Sequence, residues 1–373
     1  MPFDTEPGQQ RYRVVIIGGG PAGSACALAL AQRGVADILM LEAGDYSQFR
    51  IGESIPPESW RALQALGIEQ AFLQEGHAPC YGSCSYWGSD KRGYNDTLMN
   101  PLGHGWHLDR CKFNCFLVTQ AHNRGVHVLI NAWLTGSAPA VGTGFVLHLA
   151  LGAQASQRST RVHADFVVDA SGTRAVFARQ RGSRKLSTLP LVCLAARFAL
   201  TDSAKQRSSL THLEAVEHGW WYGAHVPEAG LLLAFYTDAA TVKAQRLQQP
   251  ERWMTLLEAA VNSARLLHHT APLSGSIWSF PAPSYCLAPL CGAGWLAIGD
   301  AASAYDPITS QGISKALANG LLAAETISKQ SGSQRFAHSV EVAYQYYLSM
   351  RRYLYGLEQR WPDAPFWKKH HDD

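Results

Sequence analysis

The sequence is poor in charge and has no long apolar run. Asp, Glu, Lys and Arg make up 16% of its 373 residues against 47% hydrophobic ones, so the chain can bury a large core. The length suggests about two domains. No apolar run reaches the ~18 residues needed to cross a bilayer. Residues Met1 to Pro7 lack the basic start and apolar stretch of a secretory signal. The expectation is a soluble, cytoplasmic protein with no membrane partner. No basic run is long enough to track nucleic acid, and the net charge is only +3. None of the eight cysteines lies in a C-x-x-C. Cys80/Cys84 and Cys111/Cys115 make two C-x₃-C pairs, but closed zinc sites favour tighter spacing, so reduced cytosolic thiols and no metal are expected.

Glycine stands where it carries information. Residues 12–18 are apolar and β-branched, and Gly18, Gly20 and Gly23 follow in a G-x-G-x-x-G that includes Pro21 and Ala22. An apolar helical run then begins at Ala25. Gly18 permits the turn, Gly20 lets backbone N–H groups reach a pyrophosphate, and Gly23 lets helix and strand pack. Glu42 ends the next strand, about 20 residues on, where a carboxylate accepts ribose hydroxyls. The motif has no second copy after a strand.

Further elements are expected as helices over 59–66, 68–73, 109–124 and 250–267, then over 309–327 and 335–358. Strands are expected at 126–130, 145–150, 166–169, 190–200, 220–226, 231–236, 275–280 and 295–298. In the helix from Asp109, the spacing puts Cys111, Cys115, Leu117, Val118 and Ala121 on the apolar side. The Tyr-rich C-terminal helix is read chiefly as core filling.

Two more turns carry chemistry. Asp169-Ala-Ser-Gly172 ends one buried strand, and Gly299-Asp300 ends another. A carboxylate at Asp300 can accept ribityl hydroxyls. Pro307, Gly312 and Ile313 then open a helix whose positive end would face a flavin pyrimidine edge. The first glycine motif and Asp300, in this order, point to FAD held lengthwise rather than NAD. No His or Cys lies in an evident flavin-linking motif, so the FAD is expected to be non-covalent.

In this order the motifs resemble the flavoprotein monooxygenase and halogenase superfamily with the p-hydroxybenzoate hydroxylase-like fold. Arg50-Ile-Gly52-Glu53-Ser54 resembles the Gly-Glu-Ser segment of its halogenase and geranylgeranyl-reductase branch, which runs beside the flavin. Arg110-x-x-Phe113 resembles the family's FAD-holding Arg-x-x-Phe-Asp, with Asn114 in place of Asp. The resemblance implies an α/β fold: a Rossmann-like FAD-binding domain (10–80, 106–185 and 290–330), an interleaved sheet-rich substrate domain (80–105 and 186–289) and a C-terminal helical region (331–373). Segments 75–110 and 360–367 resemble, more narrowly, the flavoproteins that modify tryptophan in precursors of cysteine tryptophylquinone-dependent lysine and glycine oxidases.

Halogenases of the family carry a tunnel lysine about 25 residues after Gly-Glu-Ser, and a Trp-x-Trp-x-Ile-Pro motif. Between Ile51 and Asp90 there is no lysine, and Gly219 to Pro227 does not match the motif. Hydroxylation needs less: reduced flavin and O₂ give a C4a-hydroperoxide, which an electron-rich ring attacks. The protein positions the ring and excludes water. The expected activity is therefore an FAD-dependent monooxygenase that hydroxylates a tryptophan of a partner quinone-cofactor oxidase precursor. NAD(P)H or another external reductant would supply electrons, and a halogenase or polyprenyl reductase is the alternative. His104, His107 and Glu53 are the candidate acid/base groups. Trp87, Trp106, Trp221 and Tyr222 are candidates for an indole pocket.

Overall fold

Val, Ile and Leu dominate the strands Arg11–Ile17, Ile38–Leu41 and His127–Leu129, and the end of Arg158–Asp169 and all of Trp295–Ala297 are buried and largely apolar. Strands apolar on both faces belong in a parallel sheet covered on both sides. They pair in parallel in the order 295–297, 158–169, 11–17, 38–41, 127–129. Antiparallel strands Ala132–Pro139 and Phe145–Leu151 extend this sheet, as does Cys291–Gly292. The structure, a computed structural model, describes residues 3–4, 6–152, 158–187, 190–201, 208–226, 230–268, 270–271, 273, 275–330 and 332–372. Pro227, the last residue weighed against the halogenase motif, lies outside the described residues.

Helix Pro21–Gln32 is buried from Ala22 to Leu30 and lies between the sheet and helix Gly312–Ser328. The two helices touch at Gly320, where a Cβ would come within 2.7 Å of the Ala22 carbonyl oxygen and the Cys26 nitrogen. Only glycine permits that approach. The second helix starts at Gly312 rather than 309. The turn Pro307–Thr309 and a left-handed Ser310 (φ +51°) separate them.

A second sheet runs in the order Trp278–Ala282, Leu191–Phe198, Gly230–Thr237, Gly219–Val226, Thr211–Val216, Gly82–Tyr86, Gly93–Asp96. Its side chains alternate between two cores. Cys193, Trp220 and Tyr236 face Tyr355 and Trp367, whereas Leu194, Trp221 and Phe235 face Trp253 and Leu257 of helix Pro250–Ala259. Strand Thr211–Val216 escapes the sequence reading because its pattern is short and interrupted by His212 and Glu214. It pairs in parallel with Gly82–Tyr86 and so joins two distant parts of the chain.

Helix Arg110–His122 buries Leu117, Val118 and Ala121 as expected, but not the two cysteines read onto the same side. Phe113 and Phe116 pack on Phe72 and set the phase, so Asn114, Leu117, Val118 and Ala121 are buried while Cys115 is exposed. All eight cysteines are free. In helix Ser333–Gly356, Tyr344, Tyr347 and Tyr355 are buried, but Tyr346 and Tyr353 are exposed. Among the described residues no helix is long and apolar enough to cross a membrane.

Candidate active site

The first glycine turn divides by what surrounds each residue. Gly18 has φ +112°, and a Cβ there would lie 2.2 Å from the Ala170 carbonyl oxygen; at Gly23 it would lie 1.9 Å from that of Gly18. Both are required by the protein's own packing. At Gly20 and Gly312 a Cβ would meet nothing within 4 Å. The chain places glycine in two open spaces, each at a helix N-terminus. Neither helix has a side-chain cap, so their first N–H groups are available to an anion or a polar edge. This fits a dinucleotide cofactor stretched between them.

Glu42 is buried at the end of its strand. It accepts hydrogen bonds from the Gly19 nitrogen (2.8 Å) and the Gly44 nitrogen (2.9 Å), and Arg50 stands 3.8 Å away. Asp169 departs from expectation. Its carboxylate accepts from the nitrogens of Phe177 and Ala178 (both 2.8 Å) and from Ser171. It is spent on shaping its own turn and presents Gly172 rather than reaching outward.

Asp300 lies one strand over and is largely exposed. Its Oδ1 is 2.8 Å from the Lys315 ammonium, and its carbonyl accepts from the Tyr285 hydroxyl. Lys315 also donates to the Ser303 carbonyl and lies 4.5 Å from the centre of the Tyr305 ring. The sequence reading missed Lys315; the available signal was a lone cation on the buried side of an Ala- and Leu-rich helix.

Pro307 opens the next turn, which Asp306 caps by accepting from the Ile308 nitrogen. The other Asp306 oxygen takes the Arg351 Nε (3.3 Å) and the Tyr355 hydroxyl (2.9 Å). Arg351 donates to His370 Nδ1 at 2.7 Å, and the His370 ring stacks on Tyr355. Burial and Arg351 hold that imidazole down to about 3, so it is neutral and can accept. Ile313, next to Gly312, is buried.

Between these turns lies the Gly52–Ser54 segment. Arg110 Nη1 donates to the carbonyls of Ile51 (2.6 Å) and Gly52 (3.2 Å), while its buried Nε has no partner among the described residues. Glu53 is fully buried. One oxygen accepts from the Gly52 nitrogen and the other has no partner among the described residues. Burial pushes its carboxyl up to about 7, against the pull of Arg110 and Arg197.

Ser54 begins a polar chain. Its hydroxyl is 2.8 Å from that of Tyr222 and 2.9 Å from that of Thr211, which is 3.1 Å from His107 Nε2. Burial lowers His107 to about 4, so its ring is neutral near pH 7. His104 sits nearer the surface. Its Nδ1 must donate to the Gly105 carbonyl (2.7 Å), and its ring meets Tyr81 and Trp106 edge-on.

The four aromatics do not form one box. Only Tyr222 joins the polar chain. Trp221, on the opposite face of the same strand, is enclosed by Trp253 and Phe235. Trp106 lies in the core against Trp60 and Phe72. Trp87 donates to the Leu354 carbonyl and packs on Trp220, Tyr355 and Trp367. These three are corrected from pocket lining to packing. Strand alternation and the docked C-terminal helices take them away from Ser54.

The profile of the FAD-binding domain family matches residues 11–329. The chain is 28% identical over 368 residues to LodB of Marinomonas mediterranea, a protein named as an FAD-dependent oxidoreductase, and the match covers 97% of each. It shares the fold of CndH, the myxobacterial chondrochloren halogenase, with a TM-score of 0.85 and 21% identity over 97% of this chain and 86% of that one. It is also similar to QhpG, a peptidyl tryptophan dihydroxylase essential for tryptophylquinone cofactor biogenesis. There the TM-score is 0.77, with 21% identity over 96% of this chain and 78% of that one.

Proposed function

Because the chain belongs to the FAD-binding domain family, it is a flavin-dependent oxidoreductase, and we propose that it is a monooxygenase hydroxylating a tryptophan side chain in a partner protein. The partner would be the precursor of a quinone-cofactor oxidase. Gly18 to Gly23, Glu42, Arg110, Asp300 and the N-terminus at Gly312 would hold the FAD. When reduced, the flavin supplies the activation of O₂.

The protein's own share is positioning and proton handling. The observation that carries this reading is the buried polar chain Tyr222–Ser54–Thr211–His107 beside Glu53. A carboxyl titrating near 7 can hold a proton or release it at working pH. The chain of hydroxyls can pass a proton from the Tyr222 oxygen to His107 Nε2. No lysine lies from residue 51 to residue 90 to take the role that the family's halogenases give to one, which favours oxygen insertion.

The likeness to QhpG supports a peptidyl tryptophan as acceptor. So does the segment 81–99, where Tyr81, Tyr94, Leu98 and Met99 are exposed. Exposed apolar side chains suit contact with a protein surface better than with a small zwitterion. The same proposal includes the division into an FAD-binding part (10–80, 106–185, 290–330) and a substrate part (80–105, 186–289). Halogenation is the second reading, favoured by the likeness to CndH.

Co-expression with a candidate precursor, followed by its intact mass, tests the proposal. One or two added oxygen atoms are expected with bromide present. A brominated precursor, or an unmodified one beside rapid turnover of free tryptophan, refutes it.

A further inference from the structure

Lys315 stands where a lysine is hard to keep. Its side chain is 7% exposed, in the first turn of helix Gly312–Ser328. Lysine is almost never buried unless paired, and the N-terminus of a helix, the positive end of its dipole, disfavours a cation. Ile313, Ala316 and Leu317 around it are buried and apolar, so a methionine or leucine would suit the position without either cost. The ammonium is nevertheless well supplied with partners. It donates to Asp300 Oδ1 at 2.8 Å and to the Ser303 carbonyl, and it lies 4.5 Å from the centre of the Tyr305 ring.

Its main partner does not need it for solvation. The Asp300 side chain is 47% exposed, so water alone could satisfy the carboxylate. Packing therefore does not account for a buried cation at this place. The candidate cofactor contacts do. The second Asp300 oxygen has no partner among the described residues and is the one left for a ribityl hydroxyl. Gly312, just before Lys315 on the same helix, is the open start assigned to a polar edge of the flavin. Burial pushes the Arg110 guanidinium down, and the charge of Asp300 is among those that work against it. The carboxylate thus spreads a negative field over other residues that would hold the cofactor.

Two electrons and one proton convert the oxidised flavin to an anion, and a carboxylate nearby opposes that change. On the FAD reading above, we infer that Lys315 is a positioning residue that acts through Asp300: it cancels the carboxylate's charge, so that the chain keeps a ribityl acceptor without making the flavin harder to reduce.

The test is the midpoint potential of the bound flavin, taken by anaerobic dithionite titration against a reference dye after free FAD is removed. In Lys315→Met the carboxylate is left uncancelled. Reduced FAD should then bind roughly tenfold more weakly relative to oxidised FAD, the order expected of one charge near a protein surface. For a two-electron couple that is a fall of about 30 mV. Asp300→Asn keeps an acceptor oxygen but leaves the cation, so its potential should rise by a similar amount. The double variant removes both charges and should return close to wild type. It also strands no charge in the interior, so it stays folded where a single variant might fail. If Lys315→Met does not fold, Asp300→Asn and the double variant carry the same comparison, since only a cancelled pair makes one rise and the other return. A role in packing alone would weaken oxidised and reduced FAD equally and leave every potential at the wild-type value, which overturns the inference. Shifts of like sign in the two single variants, or a double variant that does not return, overturn it too. A wild-type protein that takes up no flavin at all defeats instead the FAD reading.

Discussion

Replacing Glu53 by Gln should stabilise the protein at high pH and leave it unchanged at low pH. The Glu53 carboxyl is buried and titrates at about 7, against an ordinary value of 4.5. Between those values the folded chain binds a proton that the unfolded chain has released, so stability falls as pH rises through the window. Below it both states are protonated and nothing is lost; above it the full cost remains. The interval from 4.5 to about 7, at about 1.4 kcal/mol per unit, makes that cost about 3 kcal/mol. The substituted amide would be neutral at every pH and retains an oxygen for the Gly52 nitrogen. The assay is denaturant unfolding of both FAD-saturated proteins from about pH 3.5, below the window, to about pH 8. The two curves should coincide at the acid end and separate in the variant's favour at the other. A difference that does not change with pH, or a wild type that gains on the variant as pH rises, refutes the reasoning.

Gly20→Val should abolish FAD binding yet leave the melting temperature of the flavin-free protein unchanged, because a side chain there meets only open space. Gly23→Ala should lower that melting temperature as well, since its Cβ would collide with the Gly18 carbonyl; equal behaviour of the two variants would contradict the assignment. Asp300→Ala should weaken FAD by about 1.5–3 kcal/mol, roughly 10- to 150-fold, read by fluorescence titration. Undiminished affinity after dialysis would remove Asp300 from the cofactor site. Trp221→Ala should cost about 3–5 kcal/mol of stability, whereas Tyr222→Phe should keep stability and flavin but lower turnover about 10²-fold. Unfolding curves and single-turnover rates separate them, and the opposite pattern would place the pocket on the other face of the sheet.

The cofactor end of the molecule was readable from local sequence because its demands are local. A turn where an added Cβ would lie 2.2 Å or less from a carbonyl oxygen accepts only glycine, and Gly18 and Gly23 declare this within six residues. Asp300 and Gly312 likewise lie on one turn and the helix that follows. The substrate end depends on long-range register. Ser54 meets Thr211 across 157 positions, through a strand whose short apolar pattern does not announce itself. Trp221 and Tyr222 are adjacent in sequence but belong to opposite cores, and only the pairing of their strand decides which faces Ser54. Helix Arg110–His122 was legible for Leu117, Val118 and Ala121, but Phe113 and Phe116, packed on Phe72, leave its cysteines toward the outside.

The bond network around Asp306 makes the C-terminal helices part of the floor beneath the cofactor. The turn that presents Gly312 is held by Arg351 and Tyr355, and these in turn by His370. During synthesis the glycine turn at Gly18 has its packing partners once residue 170 has emerged, but its opposite number at Gly312 stays unsupported until residue 370 has left the ribosome. Cofactor loading is thereby tied to the arrival of residues 351 to 370. A product broken off after the two turns but before Arg351 would own half of a cradle and lack what holds the other half, so a firmly held flavin would report that this helix pair had been made.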